Sequence, residues 1–177
     1  MTNATPVRSR PPLSDDRREP LARTFTRDAS LGALFAEVAR AHPHAEALAW
    51  PGGRLSYAEL DARANRLARH LRSLGVRPGD RVGISLARWP ELGVALLAAV
   101  KAGASYVPLD AEYPAERLAF MRRDSKIVAL VVARAEEARL EAGESVRVVA
   151  LDEARAAIAA LPAEAPETFA CGESEAY

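Results

Sequence analysis

Cysteine is almost missing from this chain. A single residue, Cys171, excludes an intramolecular disulfide and supplies no zinc pattern. Aromatic residues make up only 6%, so a core must be built from aliphatic side chains. Alanine and arginine are plentiful, and that composition points to a helix-rich α/β chain. Neither sign of charge is in excess. Lys+Arg and Asp+Glu both number 24, which leaves no electrostatic footprint for nucleic acid or an anionic membrane. Long apolar runs are missing too. Val94 to Val100 falls far short of the ~20 residues a membrane-spanning helix needs. The opening MTNATPVRSRPP lacks the apolar region of a secretory signal. A cytoplasmic location is the default expectation. Neither G-x-x-x-x-G-K-[ST] nor G-x-G-x-x-G occurs, so the standard phosphate loops are excluded.

What is present fits one domain: 177 residues, 49% hydrophobic, enough for a sizeable core. Residues 1–28 are rich in Pro, Arg, Asp and Thr and are expected to form a mobile leader or linker, with Ser14 able to cap a short turn. The body is expected over 29–161. Ser30 can cap a helix whose Leu31, Leu34, Phe35 and Val38 share a face. Ala45–Trp50, a Pro51-Gly52-Gly53 turn and Arg54–Tyr57 predict a hairpin. Ser56-Tyr57-Ala58-Glu59 is a capping-box pattern. Behind it Leu60, Ala64, Leu67, Leu71 and Leu74 form a helical stripe, with Arg63, Arg66, Arg69 and Arg72 mostly off it. Gly75 suits a left-handed helix exit.

From residue 81 the pattern alternates. Strands are predicted at Arg81–Ala87, Ser105–Asp110, Ile127–Ala133 and Val146–Leu151. Helices are predicted from Pro90 to about Ala102, at Pro114–Asp124, Glu136–Ala142 and Asp152–Leu161. Such alternation implies an α/β fold with a mostly parallel sheet and crossover helices. The helix ending at Ala102 is apolar nearly all round and should be well buried. Pro108 marks an edge strand or a strand end, and the run Ile127–Ala133 suits a strand covered on both faces.

Candidate chemistry is thin. His42 and His44 flank a proline but lack the third ligand a zinc site needs. His70 is expected near the solvent face of its helix, and Cys171 has no neighbour to lower its pKa. Asp110 and Glu112 stand beyond a strand end, where an acid pair could work, although turn use is the commoner role. The arginine-rich face could meet an anion, but solvated charge is the usual role. The residues by themselves describe an α/β domain with no visible catalytic set.

Two stretches resemble the amino-acid adenylation domains of nonribosomal peptide synthetases, within the AMP-forming ligase superfamily. Leu55-Ser56-Tyr57-Ala58-Glu59-Leu60 is similar to that family's first core motif. Val100-Lys101-Ala102-Gly103-Ala104-Ser105-Tyr106-Val107-Pro108-Leu109-Asp110 is similar to its second, continued by Tyr113-Pro114 and Glu116-Arg117-Leu118. Asp61–Leu67, Gly79–Val82 and Pro90–Leu92 match between them, and the leader is similar to the segment that follows a condensation domain.

The resemblance implies the N-terminal subdomain of an adenylate-forming enzyme, incomplete here. It implies that residues 162–177 are a loop and the lead-in strand, Ser174-Glu175-Ala176-Tyr177, to a phosphate loop that is not in the chain. The complete family enzyme uses ATP and Mg²⁺ to make an aminoacyl-adenylate, then passes the acyl group to a carrier-domain thiol. Carrier and condensation domains, the remainder of the adenylation domain and an MbtH-like protein are the implied partners. The two motifs are mainly structural in the family. No catalytic, ATP-binding or metal role is therefore carried onto any residue, and the chain is expected to be inactive and marginally soluble alone.

Overall fold

The computed structural model describes residues 30–87, 90–134 and 146–166. The expected turn at Ser14, the helix at Glu136–Ala142, Cys171 and the strand at Ser174–Tyr177 lie outside the described residues.

Helix α1 (Leu31–Ala41) starts where Ser30 Oγ accepts the Ala33 N–H at 3.2 Å. Its buried residues are Gly32 and Ala39, while Leu31 is 54% exposed. The expected Leu31–Leu34–Phe35–Val38 face is therefore turned partly outward. The reason is steric: a Cβ on Gly32 would sit 3.4 Å from Lys101 Cγ, so the helix approaches its neighbour through its smallest residue. Strands β1 (Glu46–Trp50) and β2 (Gly53–Ser56) form the expected antiparallel hairpin, with Trp50 opposite Gly53.

Helix α2 (Tyr57–Ser73) carries the full capping box. The Ser56 N–H donates to Glu59 Oε2 at 2.8 Å, and Ser56 Oγ accepts the Glu59 N–H at 3.3 Å. Bonds from the Ser56 backbone and hydroxyl hold the Glu59 carboxyl below its ordinary 4.5. The apolar stripe is buried as patterned, with Leu60, Ala64, Leu67 and Leu71 all inside. Each fully buried leucine contributes about 2–3 kcal/mol of transfer free energy. Gly75 leaves the helix at φ 92°, where a side chain would be strained.

Four parallel strands follow: β3 (Arg81–Ser85), β4 (Ser105–Pro108), β5 (Ala129–Val132) and β6 (Arg147–Ala150), in the order β4-β3-β5-β6. β4 is an edge strand, and Pro108 ends it. All four residues of β5 are buried, as expected for a strand covered on both faces. The strand period of two divides the core. Val82, Ile84, Ala129, Val131 and Val149 meet α2 and helix α3 (Glu91–Lys101) on one face. Leu130, Val132 and Ala150 meet Leu118 and Met121 of helix α4 (Ala115–Ser125) on the other. Helix α5 (Leu151–Ala159) returns to the first face, where Ile158 packs against the core.

Helix α3 departs from its expected burial. Ala95, Ala98, Ala99, Val100 and Lys101 are inside, but Leu92, Val94, Leu96 and Leu97 are only half-buried. The small residues permit close packing in the core, while Val94 lines one surface cavity and Leu96 and Leu97 another.

His70 is half-buried, and burial pulls its pKa below the ordinary 6.5. The folded chain therefore binds fewer protons than the unfolded one. This contribution to stability is complete above 6.5 and is lost as pH falls through the lowered folded value. His70→Gln is expected to flatten the fall in urea midpoint between about pH 7.5 and pH 5. An unchanged pH slope would show that His70 contributes nothing to it.

Candidate functional site

Ligands of open α/β sheets bind beyond the carboxyl ends of the strands. Three described helices start there, and each opens with acid: Glu91 in α3, Glu116 in α4, Asp152 and Glu153 in α5. Carboxylates already complement the helix dipoles at these ends and would repel a phosphate. Asp110 and Glu112 do turn work, the Asp110 carboxylate accepting the Glu112 N–H at 3.0 Å. Gly52-Gly53 makes the β1–β2 turn, with Gly53 opening β2. His42 is exposed and His44 lies on the same turn, and among the described residues no group of three His, Cys, Asp or Glu side chains could hold a metal ion.

A cavity of about 380 Å³ opens between α2, the start of α3 and α5. Its floor is apolar (Leu67, Val94, Leu151, Ile158), and its rim carries Arg63, Arg66 and Arg155 with Glu91. It brings no nucleophile together with a base. A second cavity, about 220 Å³, lies between α1, α2 and α3 and is almost wholly apolar, with Leu31, Phe35, Leu60 and Leu97 among its walls.

The most developed polar cluster lies where α2 and α3 touch. Lys101 is only 4% exposed, so its amine needs partners inside the protein. Its Nζ lies 2.9 Å from Asp61 Oδ1 and donates to Asn65 Oδ1 at 2.8 Å. Asn65 Nδ2 in turn donates to Asp61 Oδ2 at 2.8 Å and to the Ala163 carbonyl at 2.7 Å. Asp61 Oδ1 is buried, and the Lys101 ammonium 2.9 Å away compensates it. One buried network thus joins the stretch after the first motif to Lys101 of the second, and both to the segment that leaves α5.

Sequence patterning misses this cluster, although one signal was available. Lys101 is the lone cation in a helix that is otherwise almost wholly apolar, and a buried ammonium requires a partner. The arginine face is a clear correction. Arg66 Nε donates to the Leu161 carbonyl at 3.1 Å, and Arg69 Nε and Nη2 donate to the Glu164 and Ala165 carbonyls at 3.0 and 3.2 Å. These two guanidinium groups therefore hold backbone and are not simply a solvated face.

The architecture and the motif stretches recur in known proteins. Residues 35–174 match the family described as AMP-binding enzyme. Phosphinothricin tripeptide synthetase PhsC of Streptomyces viridochromogenes is 42% identical over 157 residues, covering 88% of this chain and 14% of the synthetase. The dimodular nonribosomal peptide synthase of Bacillus subtilis is 49% identical over 98 residues, covering 55% of this chain and 4% of that protein. A crystal structure of the nonribosomal peptide synthetase FmoA3 with α-methyl-L-serine-AMP bound superposes with a TM-score of 0.76 at 28% identity, covering 85% of this chain and 17% of that one. The chain thus spans a small fraction of the length of these relatives. With its doubly covered parallel sheet and its matching motif stretches, the chain belongs to the AMP-binding enzyme family.

Proposed function

We propose that this chain is the N-terminal scaffold of an adenylation domain that activates an amino acid as its aminoacyl-adenylate for nonribosomal peptide synthesis. The observation that carries this reading is the joint between α2 and α3. The matching stretch Asp61–Leu67 packs against the second motif, and the side chains brought together there, Asp61, Asn65 and Lys101, bind one another as a structural joint. Identity to peptide synthetases supports the substrate class. ATP and Mg²⁺ serve the completed domain, on residues outside this scaffold. Its partners are then the remainder of the adenylation domain and, in a full synthetase, carrier and condensation domains.

The 177-residue chain alone is expected to give no ATP–pyrophosphate exchange with any proteinogenic amino acid. Robust exchange by the purified chain would overturn the scaffold assignment.

A second reading is a non-catalytic module that docks a small MbtH-like protein or a separately encoded remainder. The apolar cavity beside Leu31, Phe35 and Tyr106 favours it, since an open apolar surface of this kind is a common protein contact. Co-purification of either candidate supports docking, and elution of the chain free of both when they are co-expressed counts against it.

A further inference from the structure

We propose that the arginine side of α2 is a clasp that sets the path of residues 161–166, with Asn65, Arg66 and Arg69 as its positioning residues. This deepens the scaffold reading, and rests on it only for what the held segment leads toward. Four side-chain hydrogen bonds from α2 reach this short stretch: Asn65 to Ala163, Arg66 to Leu161, and Arg69 to Glu164 and Ala165. Every acceptor is a backbone carbonyl. The segment has no helix or strand pairing of its own, so these donors take the place of secondary structure. Pro162 and Pro166 have no N–H to donate and restrict their own φ, which suits a stretch held through its carbonyls.

The donors are not equivalent. Asn65 is buried, and its amide is oriented by Lys101 and Asp61, so one end of the clasp is built into the core. Arg69 bonds at the surface, with two donors spread over two successive carbonyls, the fork geometry in which a guanidinium exceeds an ammonium. Hydrogen bonds from charged donors are about twice as strong as neutral ones. An exit segment held this way leaves the scaffold in one direction. A site assembled from later sequence needs such a fixed point, because misplacement of a supporting element by about 1 Å costs a site much of its rate.

Native-state cleavage by a glutamate-specific protease tests the clasp on the full chain. Glu164 lies inside the held stretch, whereas Glu91 and Glu116 lie in helices of the body. Arg69→Met is expected to raise cleavage after Glu164 by about tenfold, with cleavage after Glu91 and Glu116 unchanged. Arg69→Lys, which retains a cationic donor, should restore part of the protection. Lysine and methionine have similar helix propensity, so a helix-stability effect would not separate them. Asn65→Leu should release the segment at least as far. If Asn65→Leu fails to fold, Arg69→Met still decides, because its bonds lie outside the core. Cleavage after Glu164 that stays constant in Arg69→Met, or that rises in step with the body sites, overturns the clasp. The assay requires no reaction, so its failure leaves the adenylation reading intact, and failure of the exchange prediction leaves the clasp intact.

Discussion

Replacing Asp61 by alanine is expected to destabilise the chain by about 3 kcal/mol, and replacing Lys101 by methionine by only about 1 kcal/mol. The two partners of this ion pair differ in what they can do when left alone. Lys101 is 4% exposed and Asp61 21%. Without Asp61 the ammonium stays buried with Asn65 Oδ1 as its one remaining partner in the network. Without Lys101 the carboxylate keeps the Asn65 amide and can turn toward water. Methionine also preserves most of the lysine stem that packs beside Gly32. Urea titration of both variants and the double variant checks this. The double variant should fall short of the sum by roughly 1 kcal/mol or more, the coupling expected of contacting residues. Equal losses in the two single variants would mean that the difference in burial does not set the cost of losing a partner.

Gly103→Ala is expected to cost about 2–3 kcal/mol, from two separable causes. The residue sits at φ 87°, where any Cβ is strained. That same Cβ would lie 3.1–3.2 Å from Pro78, including the Pro78 backbone Cα, which cannot rotate away. The contact is tight because two turns are joined there: the Gly79 N–H donates to the Gly103 carbonyl at 2.9 Å, and the Ser105 N–H to the Asp80 carbonyl at 2.9 Å. Gly79→Ala supplies the control. It has nearly the same φ, 86°, but open space around its Cβ. It should cost about 1 kcal/mol, the conformational share alone. Thermal or urea midpoints distinguish the two, and equal losses would remove Pro78 from the account.

Much of the fold was legible from local pattern. The capping box at Ser56–Glu59 and the helix exit at Gly75 are an interaction between residues three apart and the conformation of a single residue. The strand Ala129–Val132 was legible because a continuous apolar run tolerates burial on both faces. The rotation of α1 was not. Hydrophobicity marked Leu31 as inward, yet the helix docks through Gly32, because closeness of backbone approach is decided by the partner's surface. The same effect leaves the leucines of α3 half-buried.

The chain's own sequence determined its class, its described helix and strand boundaries to within a few residues, and its family, since each of these is carried by short-range spacing and motif wording. Only the tertiary structure decided what its charged residues do. Arg66 and Arg69 looked like a solvated face because their acceptors stand 95 or more positions away and are backbone carbonyls. Every residue has a carbonyl, so no residue type marks where such a bond will land. Lys101 likewise reaches Asn65 across 36 positions, once α2 and α3 have packed. The physical reason is common to both: a hydrogen bond between distant segments depends on where the fold brings them, and that position is a property of the whole core.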